Sequence, residues 1–384
     1  SGAWQDEQTG PHFATMLDKF TGSGVKRFTM FNGVHPDGYT PQVLTEWITF
    51  LDLYVARRIP RIDYLMILAA PTLFELQMGA RMPLPQTRFA GYADFDRALA
   101  DYEAEQPVRI IFENGTAQGL DVGAPVGGFE HHFDSWPVEG TTALRLYFQP
   151  DGSLGDSPPT VSGSASTFRH DPEEGGRTTV TDGSIWDLQP NYEYAPLSED
   201  RAVAFIGEPL DHDTVMIGTG SVDLWIRSTA TEADLEVNLT DVRPDGQEGY
   251  VQSGWLRASH RYLSDTSTEL LPVQTHLEAD AEDLTPGEWT EARILLMPFA
   301  HVFRTGSRIR VSVDTPGASR AEWKFILADL DDQVRHSVAH SSERPSSVVL
   351  PVVSGVDVPT DRPACNALRG QPCRDYVPFD NTPE

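Results

Sequence analysis

The sequence predicts two structural units, an α/β layer followed by an all-β two-sheet sandwich of jelly-roll type. Three observations predict them. Residues 1 to about 60 mix short apolar segments, glycine turns and one helical stripe. Beyond Pro107 the chain turns into short alternating segments punctuated by glycine, proline and aspartate. The length, 384 residues, also exceeds what one core of roughly 250 to 300 residues fills. We place the units at 1–115 and 116–384.

Each element has a local reason. KRFTMFN at 26–32 reads as a short strand that runs directly into the loop Gly33-Val34-His35-Pro36-Asp37-Gly38. Thr40 can cap a helix opened by Pro41, with Leu44, Trp47, Ile48, Leu51 and Val55 recurring on one face, which predicts that this face packs on a sheet. From Asp63 to Tyr102 a partly helical pattern is interrupted by Pro71, Pro83 and Pro85, with 94–102 the most regular piece. This stretch reads equally as a lid or a linker. Its apolar side chains (Tyr64, Met66, Phe74, Met78, Met82, Phe89, Tyr92) predict burial, because that much apolar surface is costly in water. Segments 108–112, 143–148, 222–228, 234–242, 291–296, 308–314 and 346–353 each fit a strand. Period-two triplets such as Leu235, Val237, Leu239 and Ile309, Val311, Val313 predict one buried face per strand, and the set fits a sandwich of roughly 250 residues. No fixed-period repeat points to a propeller or solenoid.

Charge narrows the partners. There are 57 acidic against 29 basic residues, a formal charge of -28, and such a field repels phosphate backbones and anionic lipid. Neither nucleic acid nor a membrane is expected as a partner. No run approaches the ~18 uninterrupted apolar residues of a membrane span. Only Lys19, Lys26 and Lys324 are lysines, which reads as compositional bias. Cys365 and Cys373 either clip the tail or remain free thiols; a bond would favour a secreted protein. The N-terminus has no initiator Met or signal stretch and reads as a mature or trimmed end.

The first chemistry to consider is hydrolysis. Asp6 and His35 each follow a short apolar segment, so both fall at the carboxyl edge of one sheet, where α/β folds place catalytic side chains. An aspartate 29 residues ahead of a histidine, with one strand between, fits the last two members of a triad ordered nucleophile, Asp, His. The nucleophile is missing: no G-x-S-x-G occurs, and Ser23, Ser162, Ser164, Ser221 and Ser354 lack the strand–turn–helix context of a nucleophile elbow. His131 and His132 are adjacent and diverge on any regular element, so with Glu130 and Asp134 they read as a turn or an inter-domain contact rather than a metal site. Asp211, His212 and Asp213 read as a solvated loop, and Gly207, Gly218 and Gly220 form no phosphate loop. No metal or cofactor is expected.

Longer motifs sharpen this. GAWQD at 2–6 resembles the G-W-x-D segment that carries the triad aspartate in the family of cocaine esterase, X-Pro dipeptidyl peptidases and α-amino acid ester hydrolases, and NGVHPDG at 32–38 resembles its histidine segment. Here N-G-V-H stands where that family often has P-W-x-H. FDSWPVEGTTALRLYFQPDGSL at 133–154 is similar to the opening of the family's jelly-roll domain, and the segments 194–213, 233–261 and 284–316 follow that domain in order. The resemblance implies the C-terminal piece of an α/β hydrolase domain followed by a jelly-roll. Asp6 and His35 would be the triad aspartate and histidine, with the serine, oxyanion donors and cap on an upstream segment. It implies a small ester, amide or X-Pro peptide substrate cleaved through an acyl-enzyme. Self-association stays open. A different class of function also stays open: a carbohydrate- or protein-binding sandwich with Trp225, Trp255 or Trp289 as a platform, although a core or seam position suits each of them better.

Overall fold

The computed structural model describes residues 1–6, 10–171, 178–182, 191–316 and 326–384, with 178–182 and 191 described by their backbone only. The chain divides into two compact units, one built from Ser1–Glu139 with Val356–Gln371, the other from Gly140–Asp182, Asn191–Gly355 and Pro372–Glu384. The chain thus leaves the first unit near Glu139 and returns to it at Val356.

The first unit is mixed α/β. Its elements are β1 (Gly2–Ala3), β2 (Phe28–Phe31), α1 (Pro41–Leu51), α2 (Tyr64–Met78), α3 (Phe95–Glu103), β3 (Val108–Phe112) and β4 (Phe129–Phe133). The four strands form one sheet in that order, with β1, β2 and β3 mutually parallel and β4 antiparallel to β3. Helix α1 begins at Pro41 as expected, but the face it buries carries Val43, Thr45 and Thr49, while Trp47 and Val55 are 50% and 71% exposed. Val43 packs with Ala3, Phe31 and Ile111 on the sheet. The two threonines tolerate burial because their hydroxyls donate to the Pro41 and Thr45 carbonyls within the helix. Leu44 and Ile48 of the predicted stripe pack instead against the cluster that contains Phe74 and Met78.

Helix α2 runs through Pro71 without a break. Its start is fixed by the Asp63 carboxylate, which accepts from Leu65 N–H at 2.8 Å, and its end by Gly79 in the left-handed region. Packing of Ala70, Phe74 and Met78 holds the turns on both sides of the missing proline N–H. Met82 and Phe89 are buried as expected, whereas Tyr64 and Met66 are exposed, so the apolar content of this stretch is only partly enclosed.

The second unit is antiparallel β. Its strands are β5 (Thr142–Phe148), β6 (Leu154–Gly155), β7 (Ala165–Arg169), β8 (Thr178–Asp182), β9 (Asn191–Tyr194), β10 (Ala202–Ile206), β11 (Thr214–Ser228), β12 (Asp234–Val242), β13 (Gln247–Arg257), β14 (Thr290–Phe303), β15 (Arg308–Asp314), β16 (Arg335–Ser341), β17 (Arg344–Pro345), β18 (Ser347–Val352) and β19 (Cys373–Asp375). One sheet has the order β10-β15-β12-β13-β19; a larger one has β17-β16-β11-β18-β5-β6, with β14 also on β11 and β7 on β16. A single apolar core draws on both, including Phe148, Val222, Leu224 and Ile226 from the larger sheet and Phe205, Leu235, Val237 and Val311 from the smaller.

The period-two triplets face this core as expected, but their strands bury both faces. Glu236, Thr240, Arg310, Ser312 and Asp314 are also enclosed. The second face is polar, and its centre is a bonded cluster: Glu248 accepts two bonds from Arg310 at 3.0 and 3.1 Å, one from Arg374 at 2.9 Å and one from the Thr240 hydroxyl at 2.7 Å. Burial would raise the Glu248 pKa, but the two guanidiniums override it and hold the carboxyl below its ordinary range. Cys365 and Cys373 are joined in a disulfide. Among the described residues no helix is long and apolar enough to cross a membrane.

Candidate active site

The parallel pairing of β1 with β2 matches Ala3 with Phe31, so the residues just beyond each strand come together. The pairing continues past the strand ends: Trp4 N–H donates to the Phe31 carbonyl at 2.9 Å and Gln5 N–H to that of Gly33 at 3.1 Å. The Gln5 amide oxygen accepts from Gly33 N–H at 2.9 Å. Fully buried Trp4 stacks on Phe13 and Trp136, with ring centroids 5.4 and 5.9 Å away, and this pins the backbone two residues before Asp6.

Asp6 and His35 meet as the spacing predicts. His35 Nδ1 lies 2.9 Å from Asp6 Oδ2, with the carboxylate side chain 9% and the imidazole 36% exposed. An ionised carboxylate only accepts, so Nδ1 carries the donated proton, and in the neutral ring Nε2 is left with its lone pair. A buried acceptor behind a solvent-reaching ring is the arrangement that an oriented general base requires.

The loop that presents His35 is unusually well tied. His35 opens a short 3-10 turn over His35–Tyr39, and Asp37, two residues on, has no solvent exposure. Asp37 Oδ2 accepts from Val34 N–H at 3.1 Å, Arg369 Nε at 3.1 Å and Asn114 Nδ2 at 3.3 Å, and Oδ1 accepts from Arg369 Nη2 at 2.6 Å. Asn32 and Asn114 are bonded reciprocally, side chain to backbone in both directions. Gly33 has φ +149°, and a Cβ there would sit 2.4 Å from Asp37 Oδ2, so the turn requires glycine.

Among the described residues no serine is bonded to His35. Ser162 donates to Glu343 and buried Ser221 to Asp223. A different serine–histidine contact exists, Ser166 Oγ at 2.8 Å from His340 Nε2 with Ser164 Oγ at 3.0 Å from Nδ1, but Ser166 and His340 are sealed in the second unit. His132 bonds Glu130, which burial raises but His132 and Arg109 pull down to about 2, while His131 packs on Phe133. Among the described residues no group of three or more His, Cys, Asp or Glu could hold a metal ion. The His212 ring bonds exposed Asp211, in keeping with a solvated loop. Trp225 and Trp289 are half-buried and share the Arg344 guanidinium over their rings, and Trp255 is half-buried on β13.

Residues 101–349 match the family model of the X-Pro dipeptidyl-peptidase C-terminal non-catalytic domain. The chain belongs to this family. The matched stretch starts after both Asp6 and His35, so their pair lies outside the part the family calls non-catalytic. Cocaine esterase of Rhodococcus sp. (strain MB1 Bresler) is 26% identical over 300 residues, 72% of this chain and 47% of that enzyme. A Mycobacterium bovis protein that carries the name of a serine esterase is 30% identical over 229 residues, 57% of this chain and 35% of its own. In fold, the chain is similar to a CocE/NonD family hydrolase from Staphylococcus aureus, with TM-score 0.55, 16% identity, and 87% of this chain and 50% of that one covered. The chain thus spans between about a third and a half of the length of the curated relatives it matches.

The Asn32–Asp37–Asn114–Arg369 network has little signature in the sequence. Asp37 sits in a polar loop where solvent exposure is the ordinary reading, and Arg369 follows 332 residues later.

Proposed function

We propose that this chain supplies the general base and its orienting carboxylate to a serine hydrolase of the acyl-transfer type, with the nucleophilic serine on a further segment. The contact between Asp6 Oδ2 and His35 Nδ1 at 2.9 Å, beyond the carboxyl ends of adjacent parallel strands, carries this reading. His35 Nε2 takes the serine proton as the hydroxyl attacks the acyl carbonyl, and returns it to the leaving group. It then takes a proton from water in deacylation, while Asp6 stays ionised and keeps the ring in one tautomer. The substrate is a small ester, amide or X-Pro peptide. Esters are favoured, because the cocaine esterase relative is named for ester cleavage.

In this proposal the antiparallel unit is a jelly-roll with no catalytic group of its own, and the Cys365–Cys373 bond points to an oxidising compartment. The test uses this chain together with a hydrolase segment that carries a serine nucleophile. His35→Ala is expected to lower burst acylation by an activated acyl ester by roughly 10³-fold or more. An undiminished burst removes His35 from the mechanism.

A further inference from the structure

We propose that Arg369, acting through Asp37, is a positioning residue for His35, so that the segment returning after the second unit is a working part of the catalytic loop. This rests on the reading of His35 as the general base.

Among the described residues His35 has one side-chain tether, Asp6, and that bond fixes the ring only if the backbone of 33–37 is itself fixed. The structure fixes it from inside. Asp37 closes the turn by accepting from Val34 N–H while its own N–H donates to the Val34 carbonyl at 3.0 Å. The remaining capacity of its buried carboxylate is taken by the Arg369 fork and Asn114. Arg369 is in turn held by its own backbone, with N–H donating to the Asn114 carbonyl at 2.9 Å and C=O accepting from Asn32 Nδ2 at 3.2 Å.

The same return segment supports the Asp6 side. Gly370 has φ +69°, and a Cβ there would stand 2.7 Å from Gln5 Cβ. Gln5 precedes Asp6 and bonds Gly33 through its side chain. Gly115 meets the segment at the other flank, where a Cβ would lie 1.8 Å from the Ala367 carbonyl oxygen. Thr360 donates to Glu113 at 2.7 Å, beside Asn114. The 356–371 segment therefore touches the supports of both members of the pair.

Anchoring alone does not call for this chemistry, since an apolar pair of similar volume would secure a segment at least as well as a buried ion pair. What a bidentate guanidinium adds is direction: two parallel bonds fix the carboxylate plane, and through it the turn.

The experiment measures solvent exchange of the His35 Nδ1 proton by NMR on the whole chain with labelled histidine, for wild type, Arg369→Lys and Asp37→Asn. Arg369→Lys keeps the charge and loses the fork, so it carries the test if Asp37→Asn does not fold. His340, held by Ser164 and Ser166 in the second unit, serves as the internal control. The proposal expects at least tenfold faster exchange at His35 with His340 unchanged. Unchanged exchange at His35, or equal acceleration at both histidines, overturns it. Exchange involves no turnover, so this result stands apart from the His35→Ala acylation test, whose failure would leave the clamp intact and remove only its catalytic meaning.

Discussion

His336 gives the fold a calculable weakness toward acid. It is 1% exposed on β16 and packs edge-on to His170, also 1% exposed, with ring centroids 5.8 Å apart, and it lies 5.4 Å from the Phe168 ring. Among the described residues neither nitrogen of either ring has a hydrogen-bond partner. Burial pushes His336 down to about 3, the neighbouring His170 pushes the same way, and Asp234 opposes them. His170 is lowered as well, by burial against the pull of Asp234 and Asp171. A histidine whose folded pKa is depressed is neutral in the native state and binds its proton only on unfolding. Its stabilising share is therefore complete above about pH 6.5 and is lost as pH falls toward 3. For a shift from 6.5 to about 3, His336 alone removes about 2 kcal/mol between pH 7.5 and pH 5. Carboxylates remain largely ionised over that window, so the difference between wild type and His336→Phe isolates the term. Urea denaturation at both pH values, followed by far-UV circular dichroism, is expected to show the variant losing about 2 kcal/mol less than wild type on acidification. Any steric cost of the phenyl ring is the same at both pH values and cancels. Equal losses in the two proteins would mean that His336 does not stay neutral and buried, and would refute the reasoning.

Two further outcomes follow from packing and covalent structure. Phe205 is fully buried and stacks on Phe148 with centroids 4.2 Å apart, so Phe205→Ala is expected to cost about 3 to 5 kcal/mol in urea denaturation, and a cost below 1 kcal/mol would contradict the shared core. The Cys365–Cys373 bond closes a short loop that contains Arg369; its reduction is expected to lower stability by about 2.5 kcal/mol through the unfolded chain, read as a lower urea midpoint in reductant.

What was legible in the sequence is what is local. Segments 234–242 and 308–314 alternate cleanly and became β12 and β15 over the same residues. Asp6 and His35 were legible because each directly follows a strand and the two strands are neighbours. Strand β16, with the sequence RHSVAHS, gave no signal, because its buried positions carry His336, Ser337, His340 and Ser341 in place of aliphatic side chains. Strand β4 was read as a turn for a similar reason: in FEHHF the ladder is set by pairing with β3, and Phe129 gains its place by stacking on Phe112 at 4.8 Å. The α1 stripe pointed to the wrong face because the helix meets the sheet through Val43 and two threonines whose polarity is spent inside the helix.

The scarcity of lysine, read from composition as mere bias, has structural content. Arg369 forks onto Asp37, Arg257 onto Asp234 through Nε and Nη2, and Arg335 onto Asp200 through both terminal nitrogens, while Arg310 and Arg374 together enclose Glu248. At the buried members of this set the geometry needs a planar donor that stays charged when desolvated. A lysine offers one strongly hydrated point charge that burial tends to neutralise. The acidic excess makes carboxylates plentiful, and arginine is the cation that can accompany one into an interior without leaving its second oxygen unsatisfied. The composition therefore reflects how this chain builds its polar interior: the Glu248 cluster beneath β12, β13 and β15, and the Asp37 cluster beneath His35, use the same pairing rule for two different ends.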